Sequence, residues 1–415
     1  MTAGHALVIG GGMIGTASAE WLSRADWQVT ILDQGGFGQG CSHANCGLVV
    51  PSHVLPLAMP GAIRSTLKSI FRKNSPLRIR PGLNLDLYRW LFKFARRCKT
   101  EPMLEAGRAR AALLDSSIAL YKDLIEQDGL ACEWETAGCL FAFQSAAGFK
   151  HHAETAELLE NEFGMKAERW DGDQLTEKEP ALKPGLAGGW YYERDCHLRP
   201  DRLLSSWRRR LEARGVLIRE HCEVKRFLGN NGKLAAVETN QGEFAADAFV
   251  VATGAWTPLL NRELKCKIPI QPGKGYSLTM PRPEICPKRP LLLEEHRVAV
   301  TPMKSGYRLG SMMEFVGYDS SIDPRRLELL KEGAAVYLRE PYLEPVEESW
   351  YGWRPMTYDG KPIIDFCPAY DNVIIAAGHN MLGLSMAPAT GKLVAELLTG
   401  QTPHVDPAPF RVMRF

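Results

Sequence analysis

Residues 5–33 read HALVIGGGMIGTASAEWLSRADWQVTILD, and this stretch predicts how the fold begins. Residues 5–9 form a short apolar run typical of a buried strand, and residues 17–22 have the apolar spacing of a helix. The residues QVTILD, which end at Asp33, predict a second strand. Strand, tight turn, helix and strand in this order predict a βαβ unit at the start of an α/β domain.

Gly10, Gly12 and Gly15 fit the spacing G-x-G-x-x-G between the first strand and the helix. The first glycine allows the tight turn, the second lets backbone approach a pyrophosphate, and the third lets helix and strand pack closely. The helix N-terminus directs its partial positive charge at the phosphates. Asp33 is placed to accept hydrogen bonds from a ribose. The full context predicts a dinucleotide site, and the alternative is a βαβ unit without a ligand.

Two distant stretches indicate which dinucleotide is bound. Residues 248–256, AFVVATGAW, are an apolar strand that ends in a glycine turn. Residues 372–400, NVIIAAGHNMLGLSMAPATGKLVAELLTG, predict another strand, a glycine turn and a helix. Strand ends that converge from such distant segments predict a discontinuous domain around one extended ligand, which favours FAD over NAD.

The bulk properties place the chain among soluble globular proteins. Its 415 residues are enough for two domains, and 45% hydrophobic with 24% charged residues is an ordinary globular composition. A net charge of +2 gives no case for nucleic-acid binding. Without a signal peptide or a run of about 20 apolar residues, the chain is predicted to be cytoplasmic. Its ten cysteines include no C-x-x-C pair, so we expect mostly buried thiols.

Six stretches together resemble the D-amino-acid oxidase/dehydrogenase superfamily of FAD-dependent amine oxidoreductases. Beside the N-terminal glycine motif they are CSHANCGLVVPS at 41–52, ATGAW at 252–256, PGKGYSLT at 272–279, WYGWRPMTYDGKPII at 350–364 and AAGHNMLGLSMAPATG at 376–391. They span nearly the whole chain. The resemblance is strongest to the bacterial D-amino acid dehydrogenase small subunit and D-hydroxyproline dehydrogenase.

This resemblance implies an α/β fold with two discontinuous domains. A Rossmann-type FAD domain of the glutathione-reductase kind takes residues 2–59, 198–269 and 352–400. An α+β substrate domain built on a mixed β-sheet takes residues 60–197 and 270–351.

The resemblance also implies which residues bind FAD, without a covalent bond. They are Gly10, Gly12, Ile14, Gly15, Asp33, Gln34, Ser42, Ala44, Asn45, Gly47, Leu48, Val224, Thr253, Gly254, Trp256, Gly378, His379, Met381, Leu382, Gly383 and Leu384. Small residues at 41–47 let the backbone lie against the flat flavin ring. Leu48 and Val49 would then pack near the isoalloxazine.

Two features of this assignment have alternatives. Gly378, His379 and Gly383 are predicted to begin the last helix, whose dipole would stabilise negative charge on reduced flavin. His379 is at least as well explained as a structural histidine. Cys41 and Cys46 could in principle ligate a metal, but one histidine and no second ligand pair predict no metal site, so we interpret them as small hydrophobes.

Arg354 falls where the superfamily has an arginine that binds the substrate carboxylate, a task that suits a planar guanidinium. The alternative is a surface salt bridge. Tyr276 is predicted to form the pocket wall or to contact the substrate through its hydroxyl, and the alternative is a core tyrosine. Arg308 and His53 are weaker candidates for residues that contact the substrate-binding residues without touching the substrate. We name no general base, because the protein needs only to orient a neutral amine toward flavin N5.

The resemblance implies an FAD-dependent dehydrogenase that oxidises a D-amino or D-imino acid, such as D-proline or cis-4-hydroxy-D-proline. Its electron acceptor would be a quinone or a redox partner subunit. One alternative is a glycine or sarcosine-type oxidase that uses O2. The other is an FAD-binding subunit of a multi-subunit dehydrogenase.

Charge is concentrated in residues 64–99, which contain eleven Lys/Arg residues and one acid, Asp86. Aromatic and aliphatic residues alternate with these cations. Such a segment can lie on an anionic membrane, which predicts peripheral contact with the inner face of the plasma membrane. The alternative is a solvated insertion or a subunit interface.

Overall fold

The computed structural model describes residues 3–64, 75–80 and 82–415. The α-helices whose full extent is described are α1 Met13–Arg24, α2 Leu85–Arg97, α3 Thr100–Lys122, α4 Ala146–Phe163, α5 Gly172–Lys178, α6 Pro200–Ala213, α7 Pro324–Tyr337 and α8 Gly383–Thr399. Among the described residues, no helix is long and apolar enough to cross a membrane.

The described strands fall into four sheets. They are β1 His5–Ile9, β2 Gln28–Leu32, β3 Leu48–Val49, β4 Leu77–Ile79, β5 Cys139–Phe143, β6 Glu168–Asp171, β7 Gly188–Tyr192, β8 Cys196–His197, β9 Leu217–Arg219, β10 Val224–Asn230, β11 Lys233–Thr239, β12 Gly242–Ala245, β13 Ala248–Val251, β14 Ile270–Met280, β15 Leu291–Leu293, β16 Val298–Met303, β17 Gly306–Phe315, β18 Glu348–Thr357, β19 Ile363–Cys367 and β20 Tyr370–Ala377.

A six-stranded sheet carries the N-terminal motif, in the order β19-β20-β13-β1-β2-β9. Its strands are parallel except β19, which pairs antiparallel with β20. Strands β1 and β13 are almost wholly buried and apolar, as expected for a parallel sheet covered on both faces. Helices α1 and α8 cover one face, and the β10–β12 meander packs on the other. The predicted βαβ unit is therefore present, with β1 paired to β2.

The second large element is a mixed sheet with the strand order β18-β14-β17-β16-β15-β5-β7-β6. Strand β4 also pairs with β17. Helix α7 packs its apolar residues against β14, β16 and β17. A short ribbon of β3 and β8 joins the regions, with Leu48 opposite His197. The fold class is the predicted one. The domain limits stay a prediction, and the limit at 351/352 falls inside β18.

The last helix begins later than the sequence indicated. Helix α8 begins at Gly383, so Gly378 and His379 lie in the loop between β20 and the helix. The backbone of Asn380 has a φ of 54°, which a helix does not allow. Gly383 is thus the one residue of the three that belongs to the helix.

Candidate active site

A cavity of about 880 Å³ runs from the carboxyl ends of β1, β2 and β13 to the large sheet. Ligands of open α/β sheets bind at this edge of the strands. Both substrate candidates, Arg354 and Tyr276, line it. The predicted cofactor residues that line it are Gly10, Gly12, Ile14, Asp33, Gln34, Ser42, Ala44, Asn45, Leu48, Val224, Thr253, Gly254, Trp256, His379, Met381, Leu382, Gly383 and Leu384.

Three predicted cofactor residues, Gly15, Gly47 and Gly378, lie outside the lining. A Cβ on Gly15 would stand 1.8 Å from the carbonyl oxygen of Gly10, so this glycine permits close packing of helix and strand. Gly47 has a φ of 69°, and a Cβ there would meet the carbonyl oxygen of Leu198 at 2.1 Å. Gly378 has a φ of 80°, and a Cβ there would meet the side chain of Thr357 at 2.7 Å, so all three positions favour glycine for local packing or backbone shape.

The end of the cavity near β1 offers partners for a dinucleotide. Helix α1 begins after Gly12 with no acidic residue in its first turn, so its positive end is open to phosphate. The Ser42 hydroxyl accepts a hydrogen bond from the amide of Met13 at 2.9 Å. Asp33 accepts from the amides of Gly11 and Gly35 at 2.7 and 2.8 Å. Burial raises the pKa of Asp33.

The 41–47 loop is braced by Asn45. Its side-chain oxygen accepts from the amide of Gly47 at 2.9 Å, and its side-chain nitrogen donates to the carbonyl of Ser42 at 3.0 Å. The side chain of Asn45 therefore holds the loop, and Asn45 is also one of the residues that line the cavity.

Cys41 and Cys46 line the cavity, and all ten cysteines are free thiols. Burial raises the pKa of Cys41 to about 11, which keeps it protonated. Within the described ranges, no group of three His, Cys, Asp or Glu side chains is placed to hold a metal ion. From the sequence we interpret both cysteines as small hydrophobes within the quoted motif, and both residues line the cavity.

Arg354 lies on β18 with its guanidinium over Gly275. A Cβ at Gly275 would stand 2.2 Å from Nη1, so glycine leaves the room for the guanidinium. Nη1 donates to the carbonyl of Met312 at 2.7 Å, where a bulge in β17 gives Met312 a φ of 67°. In the described part of the chain no carboxylate pairs with Arg354. Most of its five donors thus stay available to a carboxylate in the cavity.

Tyr276 presents its ring to the cavity and its hydroxyl elsewhere. The hydroxyl donates to Glu314 Oε2 at 2.7 Å, and Glu314 is also paired with Arg326 at 2.8 Å. Burial raises the pKa of Tyr276, as does its hydrogen bond to Glu314. The structure favours Tyr276 as a wall of the cavity over a hydroxyl contact with substrate.

The two histidines of the cavity are neutral. His379 is buried and its Nε2 lies 2.9 Å from Thr390 Oγ1, and burial lowers its pKa to about 3. The ring of His53 packs at a tilt of 32° on Phe141, with 5.3 Å between the ring centroids, and burial lowers the pKa of His53 to about 4. These contacts favour the structural role for His379. Arg308 lies outside the lining, and it donates to the carbonyl of Asn45 at 2.8 Å.

Sequence reasoning missed Asn380, which holds the turn before α8. Its side-chain oxygen accepts from the amide of Thr357 at 3.0 Å, and its nitrogen donates to Thr357 Oγ1 and to the carbonyl of Gly378, each at 3.0 Å. The asparagine of the quoted GHN stretch was the available signal, because asparagine tolerates a left-handed backbone. Ser385 adds a link to β3 by donating to the carbonyl of Leu48 at 3.0 Å.

A Rossmann-type sheet beside a large mixed sheet, with a cavity bordered by both, defines the class of dinucleotide-binding α/β folds. The DAO family, described as FAD dependent oxidoreductase, matches residues 5–397. This chain belongs to that family of FAD-dependent oxidoreductases.

Similar proteins support this assignment. The chain is 34% identical to a D-amino acid dehydrogenase of Methylobacterium nodulans, with 96% of each chain covered. It is 32% identical to a D-amino acid dehydrogenase of Xanthobacter autotrophicus, over 99% of this chain and 98% of the relative. A glycine oxidase structure from Geobacillus kaustophilus has the same fold, with a TM-score of 0.80, 21% identity and 99% of each chain covered.

The residues of the cavity fit FAD. The open N-terminus of α1 suits the pyrophosphate, and the carboxylate of Asp33 suits ribose hydroxyls. The apolar side chains of Leu48, Leu292 and Leu384 suit a flat aromatic ring toward the large sheet.

Proposed function

We propose that this protein is a dehydrogenase that oxidises the Cα–N bond of a D-amino or D-imino acid to a C=N double bond. Water then hydrolyses this imine to the oxo acid. The observation that carries the proposal is the guanidinium of Arg354, which lies in the cavity that fits FAD and has no carboxylate partner among the described residues. The names of the relatives at 32–34% identity support the D-amino acid class.

FAD, when bound, supplies the hydride acceptor. Arg354 binds the substrate carboxylate as a planar fork and so fixes the orientation of the α-hydrogen. The ring of Tyr276 limits where the substrate can lie. The N-terminus of α8 borders the cavity, and its dipole favours negative charge that develops there.

Cyclic substrates such as D-proline and cis-4-hydroxy-D-proline are the substrates that we infer first. The apolar residues Leu48, Val50, Leu292 and Leu384 line the cavity and suit the methylene groups of a ring. The test is anaerobic bleaching of the flavin with D-amino acids, D-proline, hydroxyproline isomers, glycine and sarcosine. Bleaching by L-amino acids alone would contradict the stereochemical assignment.

The electron acceptor is proposed to be a quinone or a redox partner subunit. Dye reduction by the isolated chain, without peroxide formation under air, is the expected result. Peroxide formation with glycine or sarcosine would instead favour the oxidase alternative. An isolated chain with no turnover until another subunit is added would favour the multi-subunit alternative.

A cytoplasmic location with contact to the inner face of the plasma membrane is also proposed, through helix α2. Leu85, Tyr88 and Phe92 recur at helical spacing and are exposed, and Arg89 lies beside them. The basic segment 64–99 supports this proposal, although residues 65–74 and 81 lie outside the described ranges.

Sedimentation with vesicles is the test of membrane contact. We expect salt-sensitive binding to vesicles that contain phosphatidylserine and none to pure phosphatidylcholine. A Leu85→Ser/Phe92→Ser double variant should bind less, because apolar burial is lost. A protein that stays in the supernatant at low salt would contradict this part of the proposal.

A further inference from the structure

Four successive residues of the 41–47 loop each meet one polar side chain of the large sheet. The partners of residues 43, 44, 45 and 46 are, in this order, Glu348, Ser277, Arg308 and Thr301, at 2.7, 2.7, 2.8 and 2.6 Å. These four side chains, named here the polar row, lie on β18, β14, β17 and β16. The strands are neighbours in that same order. The loop therefore crosses four strands with one contact on each.

Strand register places the polar row on one face of the sheet. Thr279 is paired with Glu348 on one side and with Arg308 on the other, and Arg308 is paired with Thr301. Residues that oppose each other in antiparallel strands project to the same face. Ser277 is two residues from Thr279 and shares this face, since side chains alternate along a strand.

The contacts to the loop set the direction of its peptide groups. Three of them are made by the carbonyl oxygens of Ala44, Asn45 and Cys46. In a trans peptide the N–H of the next residue points opposite to the carbonyl. The amides of Asn45 and Cys46 are thus directed away from the polar row. Neither has an acceptor in the described part of the chain, and both residues line the cavity.

Arg308 strengthens one of these peptide groups. Its side chain is fully buried, and the nearest carboxylates, of Asp201 and Glu348, lie at 3.9 and 4.0 Å. Its close acceptors are neutral, namely Thr279 Oγ1 at 3.0 Å and the Asn45 carbonyl. A hydrogen bond from a cation polarises the peptide, which makes the N–H of Cys46 a better donor.

We propose that the polar row is a positioning device for the cofactor, in which Ser277, Thr301 and Arg308 are positioning residues. They hold the 41–47 loop so that the amides of Asn45 and Cys46 donate to an acceptor atom of the flavin ring. Arg354 is six residues from Glu348 on β18 and shares its face of the sheet, so the row also sets the ring's place relative to Arg354.

Thr301 gives the sharpest test, because Thr301→Val is isosteric and removes the hydroxyl, whereas Thr301→Ser removes the methyl group and keeps the hydroxyl. Thr301→Val removes the donor to Cys46, and Thr301→Ser keeps it. The measurements are the dissociation constant of FAD from the apoprotein and the midpoint potential of the bound flavin. Thr301→Val should weaken FAD binding about fivefold, as loss of one hydrogen bond implies, and change the potential. Thr301→Ser should restore both.

Thr239→Val is the matched control. Thr239 Oγ1 donates to the carbonyl of Gly242 at 2.7 Å in the meander, and Thr239 is outside the cavity lining. It should change neither FAD binding nor the potential. Ser277→Ala combined with Thr301→Val should weaken FAD binding further than Thr301→Val alone, because a second donor to the loop is lost.

Unchanged FAD affinity and potential in Thr301→Val would overturn the proposal, as would an equal change in Thr301→Ser. Neither measurement requires an amino-acid substrate. The result is therefore independent of which substrate the enzyme oxidises, and a failure here is distinct from a failure of the proposed function.

Discussion

The two ends of the cavity are built in different ways. At the β1 end, the lining includes glycines and Asp33, and these residues lie within a few positions of Gly10 or Asp33. At the large-sheet end, side chains from four strands hold a loop that is more than 230 residues away along the chain. The β1 end tolerates little change in backbone conformation. The large-sheet end depends on side chains that contact the loop only once the tertiary structure has formed.

The largest expected effect is at the backbone end. Gly10→Ala should abolish FAD binding, because a Cβ there would stand 2.5 Å from the carbonyl oxygen of Ala252 and φ is 108°. We expect a loss of about 3 kcal/mol or more in unfolding free energy. The measurements are flavin content and thermal unfolding. Gly35→Ala is the control, since its Cβ would have no neighbour nearer than 3.8 Å. Equal flavin content in Gly10→Ala and Gly35→Ala would contradict the view that the β1 end depends on its backbone conformation.

The next effect is at the large-sheet end. Arg354→Leu should keep FAD and weaken substrate binding by about 3 kcal/mol, or roughly 100-fold, because a carboxylate is left without its partner. Arg354→Lys should recover part of the loss, since it restores charge but not the planar fork. Anaerobic titration of the flavin spectrum measures both. Unchanged substrate affinity in Arg354→Leu would remove Arg354 from the site.

A third prediction concerns pH and His379. Burial lowers the folded-state pKa of His379 to about 3, below the unfolded value near 6.5. The unfolded chain then binds more protons, so the stability contribution is complete above pH 6.5 and is lost as pH falls toward 3. At pH 5 the loss is about 2 kcal/mol. His379→Gln should reduce the slope of unfolding free energy between pH 6.5 and 4 by the share of this one group, while buried His53 keeps its own contribution. An unaltered slope would show that His379 titrates normally.

The smallest effect is expected at Tyr276. Tyr276→Phe should leave substrate affinity within about twofold, because the hydroxyl donates to Glu314 and not into the cavity. Stability should fall by about 1 kcal/mol, as one buried hydrogen bond is lost. Substrate titration and denaturant unfolding check the two parts. A tenfold or larger loss of substrate affinity would restore the hydroxyl contact that the sequence left open.

Sequence predicted the βαβ unit because its signals are local. Gly10, Gly12 and Asp33 act within one short segment, and their spacing alone has physical meaning. The partners of Tyr276 and Arg308 could not be predicted in that way. The Tyr276 hydroxyl meets Glu314 across the bulge at Met312, and Arg308 reaches a loop carbonyl 263 residues earlier. Such contacts depend on strand register, which a single sequence does not display.

The start of α8 illustrates a smaller limit. Glycine and apolar residues follow β20 closely, so the helix was predicted to begin at Gly378. Asn380 instead adopts a left-handed backbone and bonds to Thr357 on β18. Because of these tertiary hydrogen bonds, the helix begins at Gly383, five residues later than predicted.

The crossing of the first and last helices has a consequence for biosynthesis. A Cβ on Gly391 of α8 would stand 2.4 Å from the backbone of Ala17 on α1, so the two helices meet almost backbone to backbone. Strand β20, which leads into α8, also covers the edge of β13. At translation rates of about 10 residues per second, the N-terminal motif waits on the order of tens of seconds for these partners. Strand β13 is made about 120 residues before β20, so its edge stays unpaired for roughly 12 s at that rate, until the C-terminal segment pairs with it.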